Sequence, residues 1–89
     1  MQIAQITCIN KGDRDSRYTC IARVGGKGWS ISRQACIDYI NNKEWRFYVE
    51  VAGDKVWVEV IKREGREYIK TENDGDMPNN LLSLPECSS

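Results

Sequence analysis

Hydrophobic and polar residues alternate along two neighbouring stretches of the chain, 46–52 and 55–62. Such alternation is typical of strands that bury one face. Gly53-Asp54, between the two stretches, is a two-residue hairpin signal, and Glu64-Gly65 is a second one before the next strand. The pattern therefore predicts a three-stranded antiparallel meander over residues 46–71.

The two turns set the register of this meander, and the register sets its faces. Counting outward from the first turn pairs Val49 with Val58, and counting outward from the second pairs Val60 with Ile69. Both counts place one apolar set on the same face: Phe47, Val49, Val51, Val56, Val58, Val60 and Ile69. We expect this face to be buried, because register is strongly specified where one face is apolar.

The N-terminal half predicts a hairpin followed by a helix. Residues 3–9 are rich in β-branched side chains, 18–24 are their expected partner, and the glycines of 25–28 are expected to end that strand. Ser32 is suited to be the N-cap of a short helix over 33–41. We expect the helix to cover the apolar face of the meander.

The C-terminal tail carries three leucines between two prolines. Pro78 suits the first position of a short helical turn, and Leu81, Leu82 and Leu84 follow before Pro85. Three leucines in a polar segment predict that the tail docks on the rest of the chain. The sequence thus predicts one α+β domain, residues 1–89, with the order ββαβββ, a mainly antiparallel sheet, one helix on one face and a docked tail.

Several segments together resemble an uncharacterised family of short prokaryotic proteins, domain-of-unknown-function family 3892. The tail carries the most specific likeness, since residues 70–87 read KTENDGDMPNNLLSLPEC. Weaker likenesses are Ile6-Thr7-Cys8-Ile9, Val24-Gly25-Gly26 and Tyr48-Val49-Glu50-Val51. The resemblance covers nearly the whole chain and implies kinship, but it implies no activity.

Composition excludes several classes of function. The chain has no histidine, which removes imidazole acid–base catalysis and the histidine-activated nucleophiles. Its 13 basic and 13 acidic side chains balance, unlike the basic footprint of a dedicated nucleic-acid binder. The apolar runs are too short for a membrane span, and no signal-peptide core follows Met1. We therefore expect a cytoplasmic protein with no membrane partner.

The four cysteines form no closely spaced pair. The predicted hairpin sets Cys8 opposite Cys20, so we expect these two to be reduced cross-strand neighbours. Cys87, in the tail, is a candidate reactive thiol, whereas a four-cysteine zinc site is a weak alternative. Small buried hydrophobes are the simplest interpretation of the set. We expect neither a metal nor a cofactor.

Two loops contain residue types that often bind ligands, but their spacing does not match the corresponding binding motifs. Asp74-Gly75-Asp76 suggests calcium, but an EF-hand loop centred there would need carboxylates where Lys70 and Leu81 stand. A non-standard cation site and an Asx-type turn stay as alternatives for it. The glycines of 25–28 lack the serine or threonine of a phosphate-binding loop, so a simple turn is favoured.

The second face of the meander interleaves aromatic and basic residues. The candidate binding residues there are Arg46, Tyr48, Lys55, Trp57, Tyr68 and Lys70. Such a face can recognise a protein or peptide, stack single-stranded bases, or simply pack inside the fold. We predict a small non-catalytic binding module for a protein or peptide. The alternatives are a small enzyme that uses cysteine or carboxylates, and a weak binder of single-stranded nucleic acid.

Overall fold

A computed structural model describes residues 1–13, 15–75 and 77–87 of the chain. Seven strands and two helices follow one another as β1 (Gln2–Gln5), β2 (Cys8–Lys11), β3 (Ile21–Gly26), β4 (Trp29–Ser32), α1 (Arg33–Asn41), β5 (Trp45–Val51), β6 (Asp54–Arg63), β7 (Arg66–Thr71) and α2 (Asn79–Leu82). The strands form a four-stranded sheet, β1-β5-β6-β7, and a three-stranded sheet, β2-β3-β4. The α+β class is therefore confirmed.

The meander is present, with one of its two turns displaced. Val60 pairs with Ile69 as predicted, and Glu64-Gly65 is the turn. Val49, however, pairs with Val56, because Ala52-Gly53 makes the first turn in place of Gly53-Asp54. Both residues of this turn have positive φ, 51° and 86°, and such turns favour glycine in the second position. The pairing moves by two residues, so each side chain keeps its predicted face.

The predicted N-terminal strand is divided between the two sheets, which corrects its interpretation as one strand of a hairpin. β1 runs parallel to β5, with Ala4 beside Phe47, whereas β2 is antiparallel to β3. The change occurs at consecutive residues: the Ile6 amide donates to Tyr48 O and the Thr7 amide to Gly25 O. The large sheet is therefore mixed.

The glycine-rich segment does not end the third strand. β3 continues through Gly26, and the turn at Lys27-Gly28 leads into β4, a strand that the sequence analysis missed. Gly25 has a packing reason to be glycine. A Cβ there would lie 2.9 Å from the Cys87 sulfur and 3.0 Å from the Cys8 sulfur.

Helix α1 is confirmed at its predicted bounds and packs against both sheets. The Ser32 hydroxyl accepts a hydrogen bond from the Ala35 amide at 3.1 Å, which satisfies a donor that the first helical turn leaves free. Cys36 and Ile37 are its buried residues. On the apolar face of the meander, Phe47, Val49, Val58 and Ile69 are buried, and the other three valines are partly buried against the core. This face shares one hydrophobic core with α1 and the second sheet.

The C-terminal tail is docked, as predicted. Leu81 is fully buried, and Leu82 and Leu84 pack against the core while partly exposed. Pro78 is the N-cap of α2, so the helix begins one residue later than expected. Beyond it, the Ile9 amide donates to Pro85 O, the Cys87 amide donates to Ile9 O, and Cys87 is disulfide-bonded to Cys8. No helix within the described residues is long and apolar enough to cross a membrane.

Candidate functional site

Four of the predicted binding residues meet on the second face of the large sheet. Tyr48 and Trp57 pair across β5 and β6, with ring centroids 5.7 Å apart and an interplanar angle of 69°. The Arg46 guanidinium lies 3.7 Å from the Trp57 centroid, and the Lys55 ammonium lies 4.6 Å from the Tyr48 centroid. We call Arg46, Tyr48, Lys55 and Trp57 the Trp57 patch.

The Trp57 patch is exposed and already ordered by its own contacts. Arg46 and Lys55 are exposed, while the two rings are half-buried. Each cation over a ring contributes about 0.5–1 kcal/mol at an exposed site, so these contacts restrict the side chains without removing them from water. Ile3 of β1 sits beside Arg46 in the parallel register and is 55% exposed. The patch therefore has an apolar neighbour at the sheet edge.

Tyr68 is on the same face but does not reach the open surface. It is fully buried, and the ring of Tyr18 covers it in a T-shaped contact at 5.5 Å. Tyr18 is held there by Arg66, 4.1 Å from its centroid, and by the hydrogen bond its hydroxyl donates to Arg63 O. The Tyr68 hydroxyl has no hydrogen-bond partner within the described chain. The segment before β3, through Tyr18, thus covers the part of this sheet face where Tyr68 lies.

Lys70 lies on β7, and its ammonium is bound by Glu59 and by the turn that leads to the tail. Its ammonium is 3.4 Å from a Glu59 carboxylate oxygen and donates to Thr71 O and Asp74 O. The side chain is 13% exposed. Its charge therefore holds the end of β7 to the turn after it.

The Asp74 turn is organised by its own hydrogen bonds. The Asp74 carboxylate accepts from the buried Thr71 hydroxyl at 2.8 Å and from the Asn80 amide at 3.2 Å. The Asn80 side-chain amide donates back to the Thr71 hydroxyl and to the side-chain oxygen of Asn73, Oδ1. The Asp74 carboxylate thus bonds a backbone amide, as in the Asx-type alternative, but that amide belongs to Asn80, beyond Pro78. Asp76 lies outside the described residues, and no cluster of three or more potential metal ligands occurs among those described.

The cysteines correct two expectations. The Cys87 sulfur is bonded to Cys8, so Cys87 is not a reactive thiol, and two of the four thiolates of the zinc alternative are absent. Cys8 lies opposite Gly25 rather than Cys20, because the hairpin register differs from the predicted one. The hairpin loop is irregular and ends in a bulge near Lys11, which turn residues alone do not reveal.

The two free thiols, Cys20 and Cys36, are buried. Burial raises the pKa of the Cys36 thiol to about 12, since the charged thiolate would lose its hydration. Burial also raises the pKa of Cys20, with smaller opposing effects from its own backbone amide and from Arg33. The thiolate is the reactive form, so neither residue is an activated nucleophile.

A pocket of about 150 Å³ lies on the opposite side of the large sheet, where β1 and β5 face β4 and α1. Its wall is mostly apolar and is formed by Ala4, Trp29, Ile31, Tyr39, Trp45 and Phe47. We call this the aromatic pocket. Phe47 was predicted to lie in the core, and the other three rings had no predicted role. The signal that could have linked two of them is the alternation that continues from Phe47 back to Trp45, one residue before the predicted strand.

The rings of the aromatic pocket form a continuous series. The Trp29 and Phe47 centroids are 5.7 Å apart, the Trp45 and Phe47 centroids 6.2 Å, and the Tyr39 and Trp45 centroids 6.3 Å. The interplanar angles range from 15° for Trp45 with Phe47 to 65° for Tyr39 with Trp45. The pocket is thus walled by rings of several orientations.

Comparison with known proteins identifies the family. The model of a family of proteins of unknown function, DUF3892, matches residues 5–85. The chain belongs to the DUF3892 family. No curated protein and no solved structure gives a significant match. The match spans the Trp57 patch, the Asp74 turn and every residue of the aromatic pocket except Ala4, but the DUF3892 description assigns a function to none of them.

Proposed function

We propose that this protein is a non-catalytic binding module that recognises a protein or peptide through the Trp57 patch. The observation that carries the proposal is the stack of Arg46 on Trp57 beside Tyr48, on an exposed sheet face. Tryptophan, tyrosine and arginine are the residue types that contribute most to protein interfaces, because they combine large apolar area with a polar group.

The residues around the Trp57 patch support the same function. Exposed Ile3 adds apolar surface at one edge, and exposed Glu50 pairs with Lys55 across the strands. An aromatic centre with a charged rim is the usual anatomy of a protein interface. Tyr68 and Lys70 are left out of the proposed contact set, since one is covered by Tyr18 and the other serves the tail turn.

Two contacts favour a protein over single-stranded nucleic acid. Base stacking needs an open ring face. Arg46 occupies a face of Trp57, and Lys55 lies over Tyr48. The enzymatic alternative that uses a thiol is disfavoured because Cys87 is bonded and the pKa of Cys36 is raised.

The test is a capture experiment with matched variants. Four proteins are immobilised: the full chain, Trp57→Ala, Arg46→Ala and the control Lys27→Ala. The control variant removes an exposed charge in the turn between β3 and β4. We expect a captured protein to be lost from both patch variants and retained by Lys27→Ala. Equal capture by all four proteins contradicts the proposal, and capture that nuclease abolishes supports the nucleic-acid alternative.

We also propose a cytoplasmic location, which the Cys8–Cys87 disulfide makes testable. Disulfides are rare in reducing compartments. Alkylation of thiols in intact cells, followed by mass spectrometry, reports whether Cys8 and Cys87 are reduced there. Recovery of the protein in the cytoplasmic fraction supports this location, and recovery outside the cytoplasm with the pair oxidised contradicts it.

A further inference from the structure

The aromatic pocket differs from the Trp57 patch in how its rings are used. The cation–π contacts that the structure describes fall on Tyr18, Tyr48 and Trp57, with cations from the chain itself. None of these contacts involves a ring of the aromatic pocket. The alternation of β5 explains the difference, since it directs Phe47 into the pocket and Arg46 to the opposite face.

The electrostatics of the aromatic pocket favour a cation. The face of an aromatic ring is negative, and a cation within about 6 Å of its centroid is attracted. Adjacent centroids in the pocket are 5.7–6.3 Å apart, so a cation in front of two neighbouring rings can lie within about 6 Å of both centroids. No lysine or arginine is part of the wall.

The wall also selects the kind of cation. A primary ammonium carries three hydrogen-bond donors and is strongly hydrated. The wall is mostly apolar and offers few acceptors for those donors. A trimethylammonium group has no donor and presents methyl groups to the rings. The volume of about 150 Å³ suits a group of this size, since an apolar cavity of about that volume accommodates benzene.

We propose that the aromatic pocket binds a trimethylammonium group, as carried by choline-type compounds or by trimethylated lysine. This site is separate from the Trp57 patch, and its ligand is bound without covalent chemistry. The rings follow one another along the wall in the order Trp29, Phe47, Trp45 and Tyr39.

The three tryptophans make the site measurable by NMR titration of the full chain. Trp29 and Trp45 line the pocket, whereas Trp57 lies on the opposite face and is an internal control. The probes are choline, its neutral analogue 3,3-dimethyl-1-butanol, which replaces the nitrogen with carbon, and ethanolamine. We expect choline to shift the indole signals of Trp29 and Trp45 and to bind about tenfold more tightly than the neutral analogue. Ethanolamine should bind more weakly than choline.

Two variants separate the ring contribution from simple packing. Trp45→Phe keeps a ring and should retain the preference for choline, whereas Tyr39→Leu keeps apolar volume and should reduce it severalfold. An unchanged Trp57 signal in each variant reports that the fold is intact. A trimethyl-lysine peptide, compared with choline, distinguishes a protein ligand from a small molecule by which of them binds more tightly.

Three results overturn the proposal. Equal affinity for choline and its neutral analogue assigns the pocket to apolar ligands. A shift confined to Trp57 places the cation on the other face. Absence of any shift up to tens of millimolar choline shows that the pocket has no such site. In all three cases the proposed function of the Trp57 patch is unaffected.

Discussion

The disulfide between Cys8 and Cys87 joins the two ends of the fold, and its removal should cost a large part of the stability. Cys8 is the first residue of β2, and Cys87 lies in the tail, after the buried Leu81. Two backbone hydrogen bonds between Ile9 and the tail lie next to the bridge. Two perturbations remove the bridge: the double change Cys8→Ala with Cys87→Ala, and chemical reduction of the unaltered protein.

The expected magnitude follows from the length of the closed loop. The two cysteines are 79 positions apart. The chain-entropy relation gives a loss of about 15 cal/mol/K for a loop of this length, or about 4.5 kcal/mol at 25 °C, and native disulfides commonly contribute about 2–5 kcal/mol. A chain of this size has a total free energy of unfolding of roughly 4–13 kcal/mol. Loss of the bridge should therefore lower the melting temperature by at least about 10 °C.

The assay is thermal and urea denaturation followed by circular dichroism, with and without a dithiol reductant. Reduction should destabilise the unaltered protein. The double variant is the matched control, and reduction should leave its stability unchanged. Mass spectrometry confirms that the bridge is present before reduction. If the oxidised protein, the reduced protein and the double variant all unfold within about 0.5 kcal/mol of one another, the tail is held without the bridge and the entropy argument is wrong.

Three further changes follow from buried groups, each measured by urea denaturation. Tyr68→Phe should be neutral or stabilising, because it removes a buried hydroxyl that has no partner among the described residues, and a loss above about 1 kcal/mol contradicts this. Asp74→Ala should destabilise by about 1–3 kcal/mol, since the Asn80 backbone amide loses its acceptor and the Thr71 hydroxyl keeps only the Asn73 side-chain oxygen, and an unchanged midpoint refutes it. Above pH 9 the unfolded state loses the Cys36 proton while the folded state, with its pKa of about 12, keeps it. The free energy of unfolding should therefore fall by up to about 1.4 kcal/mol per pH unit because of this group. Cys36→Ala should remove this contribution to the pH dependence, even where the substitution also changes stability by an amount that does not vary with pH.

The single-domain organisation is a prediction that unfolding can test. Both sheets, α1 and the tail contribute residues to one core. We expect one cooperative transition with the same midpoint by far-ultraviolet circular dichroism and by tryptophan fluorescence. Separate midpoints for the two probes contradict a single cooperative unit.

Local patterns predicted the parts of the fold that depend on local chemistry. The Ser32 cap bounds α1 correctly, and Glu64-Gly65 gives the register between β6 and β7. The division between β1 and β2 was missed because alternation of apolar residues looks the same whether a strand stays in one sheet or passes to another. The turn at Ala52-Gly53 was missed by one residue, since either placement keeps the apolar face continuous.

The candidate sites were likewise predicted only where a local sequence pattern determines which residues lie together. Arg46, Tyr48, Lys55 and Trp57 were predicted together because strand alternation alone places them on one face. The covering of Tyr68 by Tyr18 was not, because the segment before β3 has no regular pattern. The aromatic pocket and the disulfide join residues that are distant in the sequence, and no local signal encodes such contacts.

The most direct test of the proposed function is the dissociation constant for a captured protein partner, measured by isothermal titration calorimetry with purified components. If the Trp57 patch is the interface, Trp57→Ala should weaken binding by about 30-fold or more, as expected for the loss of an aromatic residue at an interface centre. Tyr39→Leu, in the aromatic pocket, should leave the constant within about twofold, since it lies outside that interface. A folded Trp57→Ala protein that binds the partner as tightly as the unaltered chain contradicts the central claim.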